Sequence, residues 1–93
     1  MSITITAIRL SRNGSKHEHI IHLWWVGREN GLPGDGPRSE VVSFIERGGG
    51  AYVSDDYGHL VGVRVVDPAA GPKYVQTWAD GIWTDNLLSL PQR

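Results

Sequence analysis

The sequence predicts an α+β fold, a small mostly antiparallel sheet in ββαβββ order with one short helix packed on it. Two dipeptides, Asn13-Gly14 and Asp80-Gly81, each separate stretches rich in β-branched and aromatic residues, which is typical of β-hairpins. Between the hairpins, apolar residues recur at helical spacing over 39–47. With 93 residues, the chain is expected to form a single domain over 1–93.

The first hairpin is predicted to join strands at about 3–10 and 17–26 through a type I′ turn at Asn13-Gly14. Asn and Gly suit that turn because both tolerate a positive φ at low cost. Counting outward from the turn places four pairs opposite each other: Arg9 with Glu18, Ala7 with Ile20, Ile5 with His22, and Ile3 with Trp24.

The segment 27–37 contains four Gly and two Pro and is predicted to be a loop. A plain connection to the helix and a mobile loop that carries binding are both compatible with it. The helix is expected over about 39–47, with Ser39 as its N-cap and Gly48 as its left-handed stop.

The second half is predicted to contain strands at 51–53 and 59–66, followed by a hairpin of 73–79 and 82–84. A type I′ turn at Asp80-Gly81 would set Trp78 opposite Trp83, a strong cross-strand pair. The same register sets Thr77 opposite Thr84 and Gln76 opposite Asp85. A short helical turn with Leu87, Leu88 and Leu90, capped by Asp85 or Asn86, is expected to cover the core edge.

Composition excludes several classes of protein. The chain has no Cys, and this excludes disulfides, thiolate metal sites and thiol nucleophiles. A formal net charge of −1 argues against general polyanion binding. No apolar stretch approaches the length of about 20 residues that a membrane helix needs, and no leader is visible. We therefore expect a cytoplasmic protein without a membrane partner.

The sequence suggests no catalytic residues, no metal ligands and no cofactor. On a regular strand His17 and His19 share a face while His22 points to the other, so a metal site would also need His59 and a carboxylate. We interpret these histidines as strand residues. The Asp residues fall at turns, and no paired carboxylates across a cleft are indicated.

The surplus of tryptophan points to binding. Trp24 and Trp25 are adjacent, so their rings lie on opposite faces of a strand. We expect Trp24 and Trp83 to thicken the core, whereas Trp25 could belong to either face. Residues 1–28 contain four basic residues and one acidic residue, so the first hairpin is positively charged. The candidate binding residues are Arg9, Arg12, Trp25 and Arg28.

The end of the chain resembles a small bacterial family, domain of unknown function 3892. The resemblance is carried by Lys73-Tyr74-Val75-Gln76-Thr77, by the Asp80-Gly81 turn and by residues 85–91, Asp-Asn-Leu-Leu-Ser-Leu-Pro. The segment 5–9, the His19-Ile20 strand and the helix region 39–48 are also similar. The resemblance implies one self-contained domain in a bacterial protein, with no activity or catalytic residue assigned to the family.

Three functions follow from these observations, in order of preference. The first is a non-catalytic binding or protein-interaction module with a protein partner or weak homo-oligomerisation. The second is single-stranded nucleic-acid binding through the basic first hairpin and an exposed Trp. The third is a small metal-dependent enzyme, which would need a pocket with converging polar groups.

Overall fold

The computed structural model describes residues 1–55 and 57–93. Its described residues contain a 3₁₀ turn at His17–His19, one helix and seven strands: β1 (Ser2–Leu10), β2 (Ile20–Gly27), β3 (Pro33–Pro37), α1 (Arg38–Glu46), β4 (Gly50–Ser54), β5 (Leu60–Val66), β6 (Tyr74–Ala79) and β7 (Ile82–Thr84). The strands form one sheet in the order β3-β2-β1-β4-β5-β6-β7. Only β1 and β4 pair in parallel among these neighbours. The α+β class is confirmed, but the element order is βββαββββ and not ββαβββ.

The predicted register of the first hairpin is wrong. Ser11 to Gly14 form a turn in which Asn13, but not Gly14, has a positive φ, of 63°. The 3₁₀ turn at His17–His19 follows, so these histidines do not lie on a strand. The observed pairs include Ile3 with Gly27, Ile5 with Trp25, Ala7 with Trp24 and Arg9 with His22, and irregularities follow Ile5 and Arg9.

This register shift changes which tryptophan faces the core. The prediction set Trp24 opposite Ile3, whereas the structure sets Gly27 there, three residues further along β2. A shift by an odd number of residues moves every side chain of a strand to the other face. Trp25, paired with the buried Ile5, therefore packs against the core, and Trp24 faces away from it.

The prediction of a loop is wrong for residues 33–37, which form the edge strand β3 beside β2. Its prolines, Pro33 and Pro37, stand at the ends of an edge strand, where a missing N–H is tolerated. Its glycines leave room for a neighbouring ring, because a Cβ on Gly34 would lie 2.5 Å from Trp25 Nε1. The glycines of β3 therefore allow the strand to lie directly against the indole ring of Trp25.

Helix α1 begins at Arg38, with Pro37 and not Ser39 in the N-cap position. Its predicted end is confirmed, since Gly48 has a φ of 96° and the N–H of Gly49 bonds to the carbonyl of Phe44. Val41 and Val42 are buried and hold the helix on the sheet.

The C-terminal hairpin has the predicted turn and register. Asp80 and Gly81 have φ values of 52° and 79°, as a type I′ turn requires. Trp78 pairs with Trp83, and Thr77 with Thr84. The following residues make two successive i to i+3 hydrogen bonds, Ser89 to Asn86 and Leu90 to Leu87. Leu87 is fully buried, as expected of a residue that seals the core.

The core lies between α1 and one face of the sheet. Its cluster comprises Ile3, Ile5, Ile8, Ile20, Leu23, Val41, Val42, Ala51, Val53, Val63, Val75 and Leu87. The chain end runs beside β1, where the N–H of Ile8 bonds to Pro91 and the N–H of Arg93 bonds to Ile8. The opposite face of the sheet carries no helix in the part of the chain that the structure describes, and it presents the aromatic side chains considered next.

Candidate functional site

The candidate site is the helix-free side of the sheet, which we call the open face. It is defined by Arg9, His22, Trp24, Arg28, Asp35, Tyr52, Gly62, Arg64, Trp78, Trp83 and Arg93. Cross-strand pairing places Tyr52, Gly62, Trp78 and Trp83 side by side on β4, β5, β6 and β7. On β4, β5 and β6 an adjacent residue points to the core, as the burial of Val53, Val63 and Thr77 shows. The sheet therefore collects residues distant in sequence into one surface.

Trp24 lies at the centre of one cluster. The guanidinium carbons of Arg9 and Arg93 lie 5.2 and 4.9 Å from the centre of its ring. The His22 ring packs against it at 4.7 Å, and Nε2 of His22 lies 2.7 Å from an oxygen of Asp35. Arg9 Nε also donates to the main-chain carbonyl of Arg93 at 3.0 Å, which fixes both arginines beside the indole.

Two further arginines are stacked in the same way. Arg28 lies 5.2 Å from the ring centre of Tyr52, and Arg64 lies 5.1 Å from that of Trp78. Trp78 in turn meets Trp83 edge to face, with ring centres 4.7 Å apart and planes at 79°. Trp83 is 41% exposed, so the expectation that it belongs to the core is wrong.

This arrangement favours the binding of anions. Each stacked contact contributes about 0.5–1 kcal/mol at an exposed site and orders the arginine side chain in advance. The planar N–H fork of arginine then remains available for a carboxylate or phosphate, which it can bind with two parallel hydrogen bonds. Asp35 is the one carboxylate side chain among the residues that define this face, and one of its oxygens lies 2.7 Å from Nε2 of His22.

The four sequence-predicted binding residues fall into different environments. Arg9 and Arg28 lie on the open face. Arg12 is exposed in the turn after β1. Trp25 lies on the helix side, where its ring crosses β3 over Gly34 and Gly36. The structure thus places two of them on the same face, near opposite ends of β1, and their role in binding stays a prediction.

Trp25 lines a separate cavity of about 270 Å³ between α1 and the outer ends of β1, β2 and β3. Its apolar wall includes Leu32 and Phe44. Both carboxylate oxygens of Glu29, which also lines it, accept hydrogen bonds from Ser2, and these bonds lower the pKa of Glu29. Glu29 therefore links the start of β1 to the loop after β2 and is not a free polar group of the cavity.

Several open-face residues were not identified from the sequence as binding residues, namely Trp24, Tyr52, Arg64, Trp78, Trp83 and Arg93. Trp24 was missed because the assumed register turned it toward the core. The sequence does indicate the position of Arg64 on the open face, because Arg64 alternates with Val63 and Val65 and so points away from the face on which they lie. Arg93 had none, because its contact with Trp24 depends on how the chain end docks against β1.

The histidines do not converge on one point in the structure. His19 Nδ1 accepts hydrogen bonds from the N–H groups of Ser15 and Lys16, and His22 contacts Asp35. His59 lies 3.5 Å from Asp55. Within residues 1–55 and 57–93, no group of three or more His, Asp or Glu side chains is arranged to hold a metal ion.

His17 is the buried member of this set. It is 7% exposed, and in the part of the chain that the structure describes its Nε2 has no hydrogen-bond partner; an oxygen of Asp85 lies 4.0 Å away. Burial lowers the pKa of His17, and the charges of Asp85 and Glu18 offset part of that effect. It lies on the core side of the fold and not with the open-face residues.

The fold and site together define an α+β protein with a helix on one side of its sheet and arginine-stacked aromatic rings on the other. The chain belongs to the family described as protein of unknown function (DUF3892), which matches residues 4–91. The resemblance found in the C-terminal segment is thereby confirmed over almost the whole chain. Comparisons with curated proteins and with solved structures gave no match. In the described residues, no helix has the length and apolar character needed to cross a membrane.

Proposed function

We propose that this protein is a non-catalytic binding module that holds an anionic partner on the open face. One observation carries the proposal: four guanidinium groups, those of Arg9, Arg28, Arg64 and Arg93, are each stacked on an aromatic ring of the same sheet face. The overall charge of −1 does not argue against this, because binding depends on local charge and the arginines are gathered on one side.

The chemistry of these groups favours binding over catalysis. An arginine is always protonated in a protein, so it can neither take a proton nor act as a nucleophile under ordinary conditions. Its stacking on a ring restricts it further and leaves recognition of a fixed anion as its main capacity. A second copy of the chain would bring arginine against arginine if the two open faces met, so a homodimer through this face is disfavoured.

The proposal is tested with an anionic polymer that carries no aromatic groups. Poly-L-glutamate, a stand-in for an acidic protein segment, is titrated into the protein while tryptophan fluorescence is followed. We expect salt-sensitive binding that Arg28→Gln and Arg64→Gln each weaken about fivefold, since an exposed charge contact contributes up to about 1 kcal/mol.

Arg47→Gln is the matched control, because Arg47 is exposed at the end of α1 on the helix side. It should bind within about twofold of the unaltered protein. Equal losses in all three variants, or the absence of salt-sensitive binding, would contradict the proposal.

A further inference from the structure

The open face has a gap at its centre. Tyr52 on β4 and Trp78 on β6 are both direct cross-strand neighbours of Gly62 on β5. Gly62 has no side chain, and a Cβ at this position would meet no atom of residues 1–55 and 57–93 within 4 Å. Two rings therefore flank a strip of bare backbone in a row of otherwise bulky side chains.

The gap is wide enough to admit a planar ring. Two inter-strand spacings separate the backbones of Tyr52 and Trp78 by about 9.6 Å. Successive nucleotides of a strand in double-stranded DNA are spaced about 3.4 Å apart along the axis, so a base inserted between two rings needs them roughly 6.8 Å apart. Side chains that lean over the gap can close the difference. A planar group seated over Gly62 would contact aromatic surface on both sides.

The charges beside the gap suit a phosphate-linked ring. Arg28 is stacked on Tyr52 and Arg64 on Trp78, so each flanking ring carries its own guanidinium. Arg9 and Arg93 lie further along the same face at Trp24. A single planar anion would contact only Arg28 and Arg64, whereas a chain of phosphates would also reach the arginines beside Trp24.

We propose that the anionic partner is single-stranded nucleic acid, with one base seated over Gly62 between Tyr52 and Trp78 and the backbone phosphates on the stacked arginines. This inference rests on the proposed function of the open face. Stacking of bases on aromatic side chains beside a positively charged track is how proteins hold unpaired strands.

A double helix does not suit the same surface. The open face extends over all seven strands from β3 to β7, about 29 Å across the sheet, whereas the major groove is about 12 Å wide. Bases in a duplex are also stacked on each other and cannot enter the gap. The geometry therefore selects an unpaired strand.

The test compares two strands of equal length, an oligothymidylate and an abasic deoxyribose phosphate polymer. Both carry the same phosphates, and only the first carries bases. We expect the oligothymidylate to bind about 5- to 150-fold more tightly, the range measured per stacked base, and to quench tryptophan fluorescence. Equal affinity for the two polymers would overturn the base-seating proposal and leave anion binding by the open face intact.

The decisive variant is Gly62→Val, which fills the gap. Gly62 does not have a positive φ and has open space around it, so valine fits the strand without strain. We expect this variant to remain folded in a thermal melt. Its affinity for oligothymidylate should fall to that for the abasic polymer.

Ser54→Val is the matched control, because it adds the same side chain at an exposed open-face position of β4 that faces Leu60 and not Gly62. It should keep the preference for the base-containing strand. If Gly62→Val keeps that preference as well, the gap does not seat a base. If no polymer binds the unaltered protein, the proposed function itself fails.

Discussion

At the scale of single residues, the least expected feature is a buried histidine. His17 belongs to a 3₁₀ turn and not to a strand, and its Nε2 has no hydrogen-bond partner among residues 1–55 and 57–93. A buried polar atom without a partner destabilises the folded state by about 1–3 kcal/mol. The sequence pattern does not predict this burial, because it treats His17 and His19 as residues of a regular strand. The 3₁₀ turn that places His17 in the protein interior has no clear signal in the sequence.

The buried state of His17 predicts a pH dependence of stability. Its pKa in the folded protein lies below the ordinary value of 6.5, so the unfolded chain takes up a proton more readily. The contribution of His17 is therefore fully present above about pH 6.5 and is lost as the pH falls through that value toward its folded pKa. We expect the free energy of unfolding, measured in urea, to fall over this range by at most about 1.4 kcal/mol per pH unit.

His17→Leu should flatten this pH profile, because leucine is apolar and does not titrate. His59→Gln is the control, since the His59 side chain is 79% exposed. It should leave the slope unchanged. An identical slope in the His17→Leu variant would show that the pH dependence arises elsewhere.

At the scale of elements, the two hairpins differ in how well the sequence predicts them. Asp80-Gly81 takes a type I′ turn, and the pairing that follows from it is correct. Asn13-Gly14 carries a similar signal, yet only Asn13 has a positive φ. Such a dipeptide is compatible with more than one turn, and a 3₁₀ turn with two strand irregularities then moves the register.

Strand β3 shows a second limit of sequence reasoning. The segment 27–37 contains four Gly and two Pro, a composition typical of a loop, and residues 28–32 do form a loop. Residues 33–37 are a strand because of a tertiary contact, the indole of Trp25 lying over Gly34 and Gly36. The intrinsic strand propensity of these residues does not predict that contact, because the contact depends on which residue of β2 pairs with Gly34.

The packing of Trp25 on β3 predicts a steric effect. A methyl group added in Gly34→Ala would lie 2.5 Å from Trp25 Nε1, a rigid ring atom that must move. We expect a loss of about 1–3 kcal/mol in the free energy of unfolding, measured by urea denaturation. Gly62→Ala is the control, with nothing within 4 Å of the new methyl group, and should change stability by less than about 0.5 kcal/mol. Equal effects would mean that Trp25 does not pack over β3.

At the scale of the whole molecule, the two faces of the sheet have separate roles. One face is covered by α1 and holds the apolar cluster, and the other holds stacked arginines and aromatic rings. The sequence predicts the class of fold, the helix end and the C-terminal hairpin, because these depend on local signals. It predicts Arg9 and Arg28 as candidate binding residues. It misses Trp24 and Arg93, since their places depend on strand register and on docking of the chain end.

The open face, and not the helix side, is the proposed binding surface. The four tryptophans report on it directly, because Trp24, Trp78 and Trp83 belong to the open face and Trp25 packs on the other side. The measurement is a two-dimensional ¹H–¹⁵N NMR titration with oligothymidylate that follows the four indole N–H signals, each assigned by a Trp→Phe variant. We predict that the Trp78 signal shifts most, with smaller shifts at Trp24 and Trp83 and none at Trp25. A dominant shift at Trp25 with Trp78 unmoved would contradict the account.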